Sequence, residues 1–145
     1  MSATATVNAG VRKAILAAAD SPRVGRFVRR HGMRLGAARF VAGETFEEAI
    51  PVLRGLNERG LRANTTLLGE GVRDRAETER VVSQYTDILD AIAEHGLRCN
   101  VALKLTHLGL AFDEELALAN IRDLVAHAAS RGNFIRLDME ESVYV

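Results

Sequence analysis

Short β-type runs alternate with amphipathic helical segments along most of this chain, and that alternation limits the folds open to it. The β-type runs centre near Phe40, Leu67, Leu103 and Arg136, about 30 residues apart, which is the length of one βα unit. Apolar residues at helical spacing fill the intervals, most clearly over residues 74–95. Strict alternation of this kind favours a parallel sheet with right-handed crossovers. We therefore predict an α/β fold whose four parallel strands lie at 39–42, 61–68, 97–105 and 134–137.

Two short helices are predicted ahead of the first strand. Apolar residues recur at helical spacing over Val11–Ala19, and Ser21 followed by Pro22 is a typical start for a second helix. We expect residues 1–37 to form an N-terminal helical arm. Residues 38–145 are expected to form one α/β domain, because no linker composition separates the later elements.

Two helix starts in the α/β region carry capping signals. Thr45 with Glu48 three residues later matches a capping box, in which both side chains satisfy backbone N–H groups of the first turn. Pro51 falls in the second turn of that helix, where it costs some regularity. Asp113 precedes the apolar stripe of the last helix and is expected to cap it. These signals place helices after the first and third predicted strands.

Charge and composition argue against several classes of partner. Lysine and arginine together number 19, as do aspartate and glutamate, so no net charge attracts nucleic acid or an anionic membrane. No apolar run approaches the ~20 residues that span a bilayer, and the N-terminus lacks the apolar region of a secretory signal. The single cysteine, Cys99, allows no intramolecular disulfide. We therefore expect a cytoplasmic protein that does not bind nucleic acid.

Ionisable residues gather at the predicted carboxyl ends of the strands, where parallel α/β folds place their chemistry. Lys104 lies in the apolar run Val-Ala-Leu-Lys-Leu, where a buried ammonium is costly unless it is paired. Asp138 ends the neighbouring strand, so an ion pair between the two is geometrically natural, although Asp138 could equally cap the following helix. Two interpretations of the lysine stay open: a salt bridge that seals the end of the sheet, or a cation that binds a substrate carboxylate.

Other residues near these ends carry weaker signals. Glu70 follows the second strand and is either a pocket residue or the start of a turn. Glu140 shares the strand parity of Asp138 and is the better pocket candidate, whereas Met139 either packs or lies under a ring system. His107 is interpreted as a solvated loop histidine. The histidines and the cysteine form no metal-binding pattern, and no dinucleotide or P-loop glycine motif is present.

Four segments of the chain resemble the bacterial monofunctional proline dehydrogenase family. They are Arg39–Glu44, Leu67–Glu70, Ala102–Leu110 and Phe134–Glu140, in the family's order and spacing. The resemblance implies a distorted (βα)8 barrel with FAD at the carboxyl ends of its strands. It also implies oxidation of L-proline to Δ1-pyrroline-5-carboxylate, with electrons passing to a quinone or another acceptor.

The same resemblance implies roles for individual residues. Lys104 corresponds to the family lysine that contacts the substrate carboxylate, and Asp138 corresponds to an active-site aspartate. Glu70 corresponds to a glutamate near the substrate entrance that can pair with an arginine. Met139 corresponds to a position whose backbone touches FAD, and we place Glu140 beside it on the cofactor side. Association with a membrane surface is implied for the full-length enzyme only.

Chain length limits what this resemblance implies. A (βα)8 barrel needs about 250 residues, and 145 residues accommodate only its first half. We therefore expect a half barrel with open edges on its first and fourth strands, and an uncovered inward face onto which Phe40, Leu67 or Leu103 points. Such a fragment is expected to be inactive or incomplete alone, and to associate with itself or with a complementary C-terminal half.

Two alternative functions stay open. One is a non-catalytic half barrel that associates with its own copies. The other is an unrelated barrel enzyme that uses Lys104 to form a Schiff base with a carbonyl substrate. A dimer without any flavin would favour the first alternative, and borohydride trapping on the lysine would favour the second.

Overall fold

The structure is a computed structural model, and it describes residues 21, 24, 41–69 and 72–139. The chain divides into two compact units, Met1–Glu44 and Thr45–Val145. The helices and strands given below all belong to the second unit. The predicted N-terminal arm and its two helices lie, apart from two isolated positions, outside the described residues.

Helices and strands alternate through the second unit. In chain order the elements are α1 (Phe46–Glu58), β1 (Ala63–Thr65), α2 (Arg75–Glu94), β2 (Cys99–Lys104), a 3-10 helix (Leu105–Leu108), α3 (Glu114–Ser130) and β3 (Ile135–Asp138). The strands form one parallel sheet in the order β1-β2-β3. A helix connects each strand to the next, as parallel pairing requires. The predicted α/β fold with a parallel sheet is therefore confirmed.

The predicted first strand is absent from the part of it that the structure describes. Val41 and Ala42 have no strand conformation, and the rest of that run lies outside the described residues. Within 41–69 and 72–139 the sheet therefore has three strands rather than four. β1 is also shorter than its predicted run, because its pairing with β2 stops at Thr65.

A side chain caps the start of each of the α-helices α1, α2 and α3. Thr45 Oγ1 accepts a hydrogen bond from the Glu48 N–H at 3.4 Å, as the capping-box pattern predicts for α1. Asp74 and Asp113 cap α2 and α3, and each accepts from the N–H three residues later, at 2.8 and 2.9 Å. None of the helices in the described ranges is long and apolar enough to cross a membrane.

The core lies between one face of the sheet and the helices. Val101 and Leu103 of β2 are fully buried there. They belong to one apolar cluster with Tyr85 and Leu89 of α2 and Leu124 of α3. Complete burial of each side chain of this size contributes roughly 1.5–3 kcal/mol to folding. The cluster therefore fixes the sheet against α2 and α3 and sets the direction in which β2 presents its remaining side chains.

The apolar residues expected on the uncovered face lie on the helix side instead. Leu103 is 0% exposed, and Leu67 packs against the same core, so both of those predictions are wrong. The reason is the two-residue period of a strand: because Leu103 faces the helices, Ala102 and Lys104 face the other way. The third residue expected there, Phe40, lies outside the described residues.

Candidate active site

Lys104 and Asp138 lie directly opposite each other at the carboxyl edge of the sheet. They are partners at the end of the β2–β3 register, so their side chains leave the same face of neighbouring strands, whose backbones are about 4.8 Å apart. Lys104 is partly buried and Asp138 is exposed. The predicted adjacency of the two strands is confirmed, and a cation and a carboxylate share one edge.

The sheet face that carries Lys104 is mostly polar. Ala102 lies opposite Arg136, and Asn100 lies opposite Asn64. Parallel sheets are ordinarily apolar on both faces, whereas in this one only the helix side is. The arginine was not predicted as a site residue, although its spacing of two from the predicted aspartate was a usable signal. A face of this composition suits a charged or strongly hydrogen-bonding ligand, or a polar partner segment.

Asn100, at the amino end of the same face, carries a buried hydrogen-bond acceptor. Its side-chain oxygen Oδ1 has no hydrogen-bond partner among the described residues. A buried acceptor left in that state costs roughly 1–3 kcal/mol. We infer that this position is arranged for a hydrogen-bond donor that the described part of the chain does not supply.

His107 is buried at the same edge, and the interpretation of a solvated loop histidine is wrong. The residue is 3% exposed and lies in the 3-10 helix after β2. Its Nε2 is 2.7 Å from the carbonyl oxygen of Gly69, and its Nδ1 is 3.2 Å from the hydroxyl of Tyr85. The sequence held one signal for this contact: a tyrosine inside the apolar stripe of α2 needs a polar partner for its hydroxyl.

The remaining predicted site residues follow β1 and β3. Met139 comes directly after β3, and 65% of it is exposed. It therefore presents an apolar side chain beside Asp138. Glu70 and Glu140 lie outside the described residues, so the roles predicted for them stay predictions.

Cys99 belongs to the core and not to a reactive site. Burial raises the pKa of its thiol to about 11, because a thiolate is costly in apolar surroundings. Within residues 41–69 and 72–139, no group of three or more histidine, cysteine, aspartate or glutamate side chains could hold a metal ion. Lys104 and Asp138 are the charged pair that the sheet register brings together at the carboxyl edge.

A concave region lies at the opposite, amino edge of the sheet. Its volume is about 400 Å³, and Arg98, Arg131 and Phe134 are among its lining residues. Arg131 is paired with Asp90 at 2.7 Å, and Arg98 donates to the carbonyl oxygen of Asn57, so both arginines hold the fold together. Parallel barrel enzymes place catalytic groups at the carboxyl ends of strands and use the amino ends for stability. We therefore place the candidate site at the carboxyl edge.

Known proteins that are similar to this chain include proline dehydrogenases. A family model described as proline dehydrogenase matches residues 49–145. The chain is 37% identical over 131 residues to Proline dehydrogenase 1 of Bacillus subtilis (strain 168), and 36% identical over 137 residues to Proline dehydrogenase of Deinococcus radiodurans. These matches cover 90% and 92% of this chain but 43% and 44% of the relatives. The chain thus spans less than half the length of the curated relatives it matches.

The fold is similar to that of a solved structure. That structure is the crystal structure of proline utilization A (PutA) from Bdellovibrio bacteriovorus inactivated by N-propargylglycine. The TM-score is 0.63 at 20% sequence identity, over 88% of this chain and 17% of that one, which bears on the fold alone. The family model covers more than half of this chain and agrees with the sequence relatives. The chain belongs to the proline dehydrogenase family.

Proposed function

We propose that this chain contributes the Lys104–Asp138 edge to a site that oxidises L-proline to Δ1-pyrroline-5-carboxylate, with FAD as the cofactor. The observation that carries the proposal is the register of β2 and β3, which sets the lysine opposite the aspartate in a chain of this family. Proline is a zwitterion at neutral pH. A cation and a carboxylate at the ends of parallel strands are complementary to a substrate that carries both charges.

Lys104 is the proposed ligand of the substrate carboxylate. A hydrogen bond between an ammonium and a carboxylate is about twice as strong as a neutral one, and partial burial of the lysine reduces the screening of that contact. Asp138 is proposed to act beside the ring nitrogen, which must lose its proton before the ring can be oxidised. Glu70 is proposed to lie at the substrate entrance, as the family resemblance implies.

The proposed reaction removes two electrons from the proline ring. The C5–H bond breaks as a hydride leaves, the nitrogen loses a proton, and a C=N double bond forms between the two atoms. When bound, FAD supplies the acceptor for the hydride. The residues of this chain bind and orient the ring for that step. We propose that the electrons then pass to a quinone or another acceptor, and that the reaction takes place in the cytoplasm.

The described residues fit one side of a flavin site. Met139 has an exposed apolar side chain directly after Asp138, and its backbone is proposed to contact FAD, with Glu140 beside it. Arg136 places an exposed cation on the same face, which suits the oxygen atoms of a flavin or of its phosphates. These residues alone do not enclose a cofactor, so we propose that the other contacts come from further strands.

We propose that those strands complete a (βα)8 barrel and belong to a complementary C-terminal half or to a second copy. β1 and β3 are the outer strands of the described sheet. Apolar side chains near β3 are half exposed, with Leu137 at 49% and Leu118 and Val125 of α3 at 48% and 47%. A further strand and helix would cover this surface and pair with the backbone of β3.

The visible spectrum of the purified chain with added FAD tests the proposal. The chain is mixed with FAD alone and together with the C-terminal half of the Bacillus subtilis relative, and free flavin is removed by gel filtration. We expect flavin to stay with the protein in the mixture and to bleach on addition of L-proline, with D-proline as the matched control. Flavin that stays with neither sample would contradict the proposed function.

Exposed apolar surface favours one alternative, a non-catalytic half barrel that binds its own copies. Leu68, Met139 and Phe134 are 76%, 65% and 55% exposed, and binding of a second copy would remove apolar surface of this kind from water. A stable dimer that binds no flavin, even with the complementary half present, would support this alternative over the enzyme. In the same samples, borohydride with a carbonyl substrate would test for a Schiff base on Lys104.

A further inference from the structure

We infer that His107 is a positioning residue for this site, because its ring fixes the loop that leaves β1 against the segment that carries Lys104. His107 lies three residues after Lys104 in the 3-10 helix that continues β2. The effect of His107 on substrate binding rests on the proposed function. Its effect on the loop rests only on the hydrogen bonds within this chain.

One imidazole ring joins three segments of the chain. Its Nε2 faces the carbonyl oxygen of Gly69 at 2.7 Å, and since a carbonyl only accepts, Nε2 carries the proton and donates. In that neutral tautomer Nδ1 accepts a hydrogen bond from the hydroxyl of Tyr85 at 3.2 Å. The histidine is 3% exposed and the tyrosine 0%. Both hydrogen bonds are therefore shielded from water, which strengthens them.

The contact from His107 falls on a residue of the loop after β1 whose backbone conformation is unusual. The φ angle there is +148°, which residues with a side chain rarely adopt. A Cβ built on Gly69 would lie 3.6 Å from His107 Nε2, an ordinary contact distance, so the glycine is required by its φ angle and not by lack of space. The bond from His107 holds the carbonyl group of this residue in place.

The segment that presents His107 is fixed from its other side. Gly109 ends the 3-10 helix with a φ of +105°, and a Cβ there would come within 3.2 Å of Leu116. Asn120 of α3 donates to the carbonyl oxygen of Leu108 at 3.0 Å. His107 is thus held on a firmly packed segment, and the loop at Gly69 is the part that it positions.

Three substitutions separate the contributions of donor, acceptor and packing. His107→Gln keeps an N–H donor near the position of Nε2 and removes the ring acceptor. Tyr85→Phe removes only the hydroxyl from the same hydrogen-bonded set. His107→Leu removes both hydrogen bonds and keeps an apolar side chain in the buried space. The inference requires that the hydrogen bond donated to the Gly69 carbonyl oxygen positions the loop. Glutamine should therefore keep the loop in place, whereas leucine should release it.

Amide hydrogen exchange of the isolated chain tests the contact with the loop. We expect exchange in residues 66–69 to be about ten-fold faster in His107→Leu and within about three-fold of wild type in His107→Gln and Tyr85→Phe. Unchanged exchange in α3 serves as the control that the leucine variant is folded. Wild-type rates at 66–69 in His107→Leu, or an equal effect of glutamine and leucine, would overturn the inference.

Steady-state kinetics of the assembly with the C-terminal half of the Bacillus subtilis relative tests the effect on substrate. We expect His107→Leu to raise the KM for L-proline about ten-fold with a smaller change in kcat, and His107→Gln to restore the KM. A wild-type KM in the leucine variant would overturn the positioning role. If the wild-type assembly does not oxidise proline, the proposed function fails, whereas hydrogen exchange still decides the contact at Gly69.

Discussion

Lys104 places a charge where a strand of a parallel sheet ordinarily has an apolar side chain. Its position explains how the fold tolerates that charge. It is the last residue of β2, it is only partly buried, and its register partner is Asp138. The apolar stem can pack on the sheet while the ammonium stays at the edge. The same lysine two residues earlier would stand at Ala102, which is 2% exposed, and would bury the charge.

Replacing Lys104 by methionine tests its proposed role, because methionine keeps most of the stem and removes the charge. A hydrogen bond to a charged group contributes about 1.5–3 kcal/mol, so we expect the KM for L-proline in the assembled enzyme to rise about 10- to 100-fold. Arg122→Met, which removes an exposed cation from α3, is the matched control and should leave KM unchanged. Equal KM values in the two variants would rule out a substrate contact by Lys104.

At the scale of elements, helices α2 and α3 are joined by side chains as well as by the core. Asp90 of α2 accepts hydrogen bonds from His127 Nε2 and Arg131 Nε near the end of α3, both at 2.7 Å. The first turn of α3 is joined to the first turn of α2 by Arg75 and Asp113 at 3.2 Å. Polar contacts therefore tie the two helices together at both ends, on either side of the apolar cluster.

The cap of α3 should contribute measurably to stability. Asp113→Ala removes the acceptor for the Leu116 N–H, and we expect it to lower the free energy of unfolding by about 1 kcal/mol. Arg75→Met removes only the exposed ion pair to the same aspartate, so its effect should stay below about 1 kcal/mol. Urea unfolding followed by circular dichroism measures both. An arginine variant that loses as much as the alanine variant would show that the ion pair dominates.

Asp90 should make stability depend on acid pH. Hydrogen bonding from His127, together with Arg131, holds the pKa of this carboxyl below its usual 3.8. A depressed pKa adds stability above the unfolded-state value, and that stability is lost as pH falls through the folded-state pKa. We expect the urea concentration at the unfolding midpoint to decrease as the pH is lowered below about 4. In Asp90→Asn the same midpoint should decrease less steeply with pH. Asp87→Asn, at an exposed position of α2, is the control and should show the wild-type dependence of the midpoint on pH. The same pH dependence in Asp90→Asn and wild type would contradict the prediction.

At the scale of the whole molecule, the described sheet has two unlike faces. One is apolar and covered by helices, and the other carries Lys104, Arg136 and Asp138. This arrangement bears on how the chain would associate, because the face predicted to be apolar and adhesive is mostly polar. The exposed apolar residues lie instead around the outer strand β3, with Leu137 at 49% and Phe134 at 55%. Association is therefore expected to use that edge.

A charge on β3 should weaken association through this edge. We expect wild-type protein to show a sedimentation coefficient that rises with concentration, and Leu137→Lys to reduce that rise, because a lysine on an outer strand opposes pairing with another chain. Val52→Lys changes a side chain of α1 that is similarly exposed, at 46%, and is the matched control. The same concentration dependence in all three proteins would exclude β3 as the associating edge.

Elements whose causes are local could be read from the sequence alone. Apolar periodicity and capping residues such as Thr45 and Asp113 act within a few residues. The helices and the parallel strands β2 and β3 could therefore be predicted from the amino-acid sequence. The placement of Lys104 beside Asp138 followed from the same regularity, since the carboxyl ends of neighbouring parallel strands meet at one edge. Their roles in binding and catalysis stay predictions.

The side of the sheet that each strand residue faces, and the distant groups that meet, became known from the three-dimensional structure. A two-residue period gives two sets of side chains but does not say which set the helices cover, and Leu103 was therefore placed on the wrong side. Contacts such as His107 with Gly69, or Asn57 with Arg98, join residues 38 and 41 positions apart. No local pattern encodes such pairs, because they exist only once the core has packed and brought the segments together.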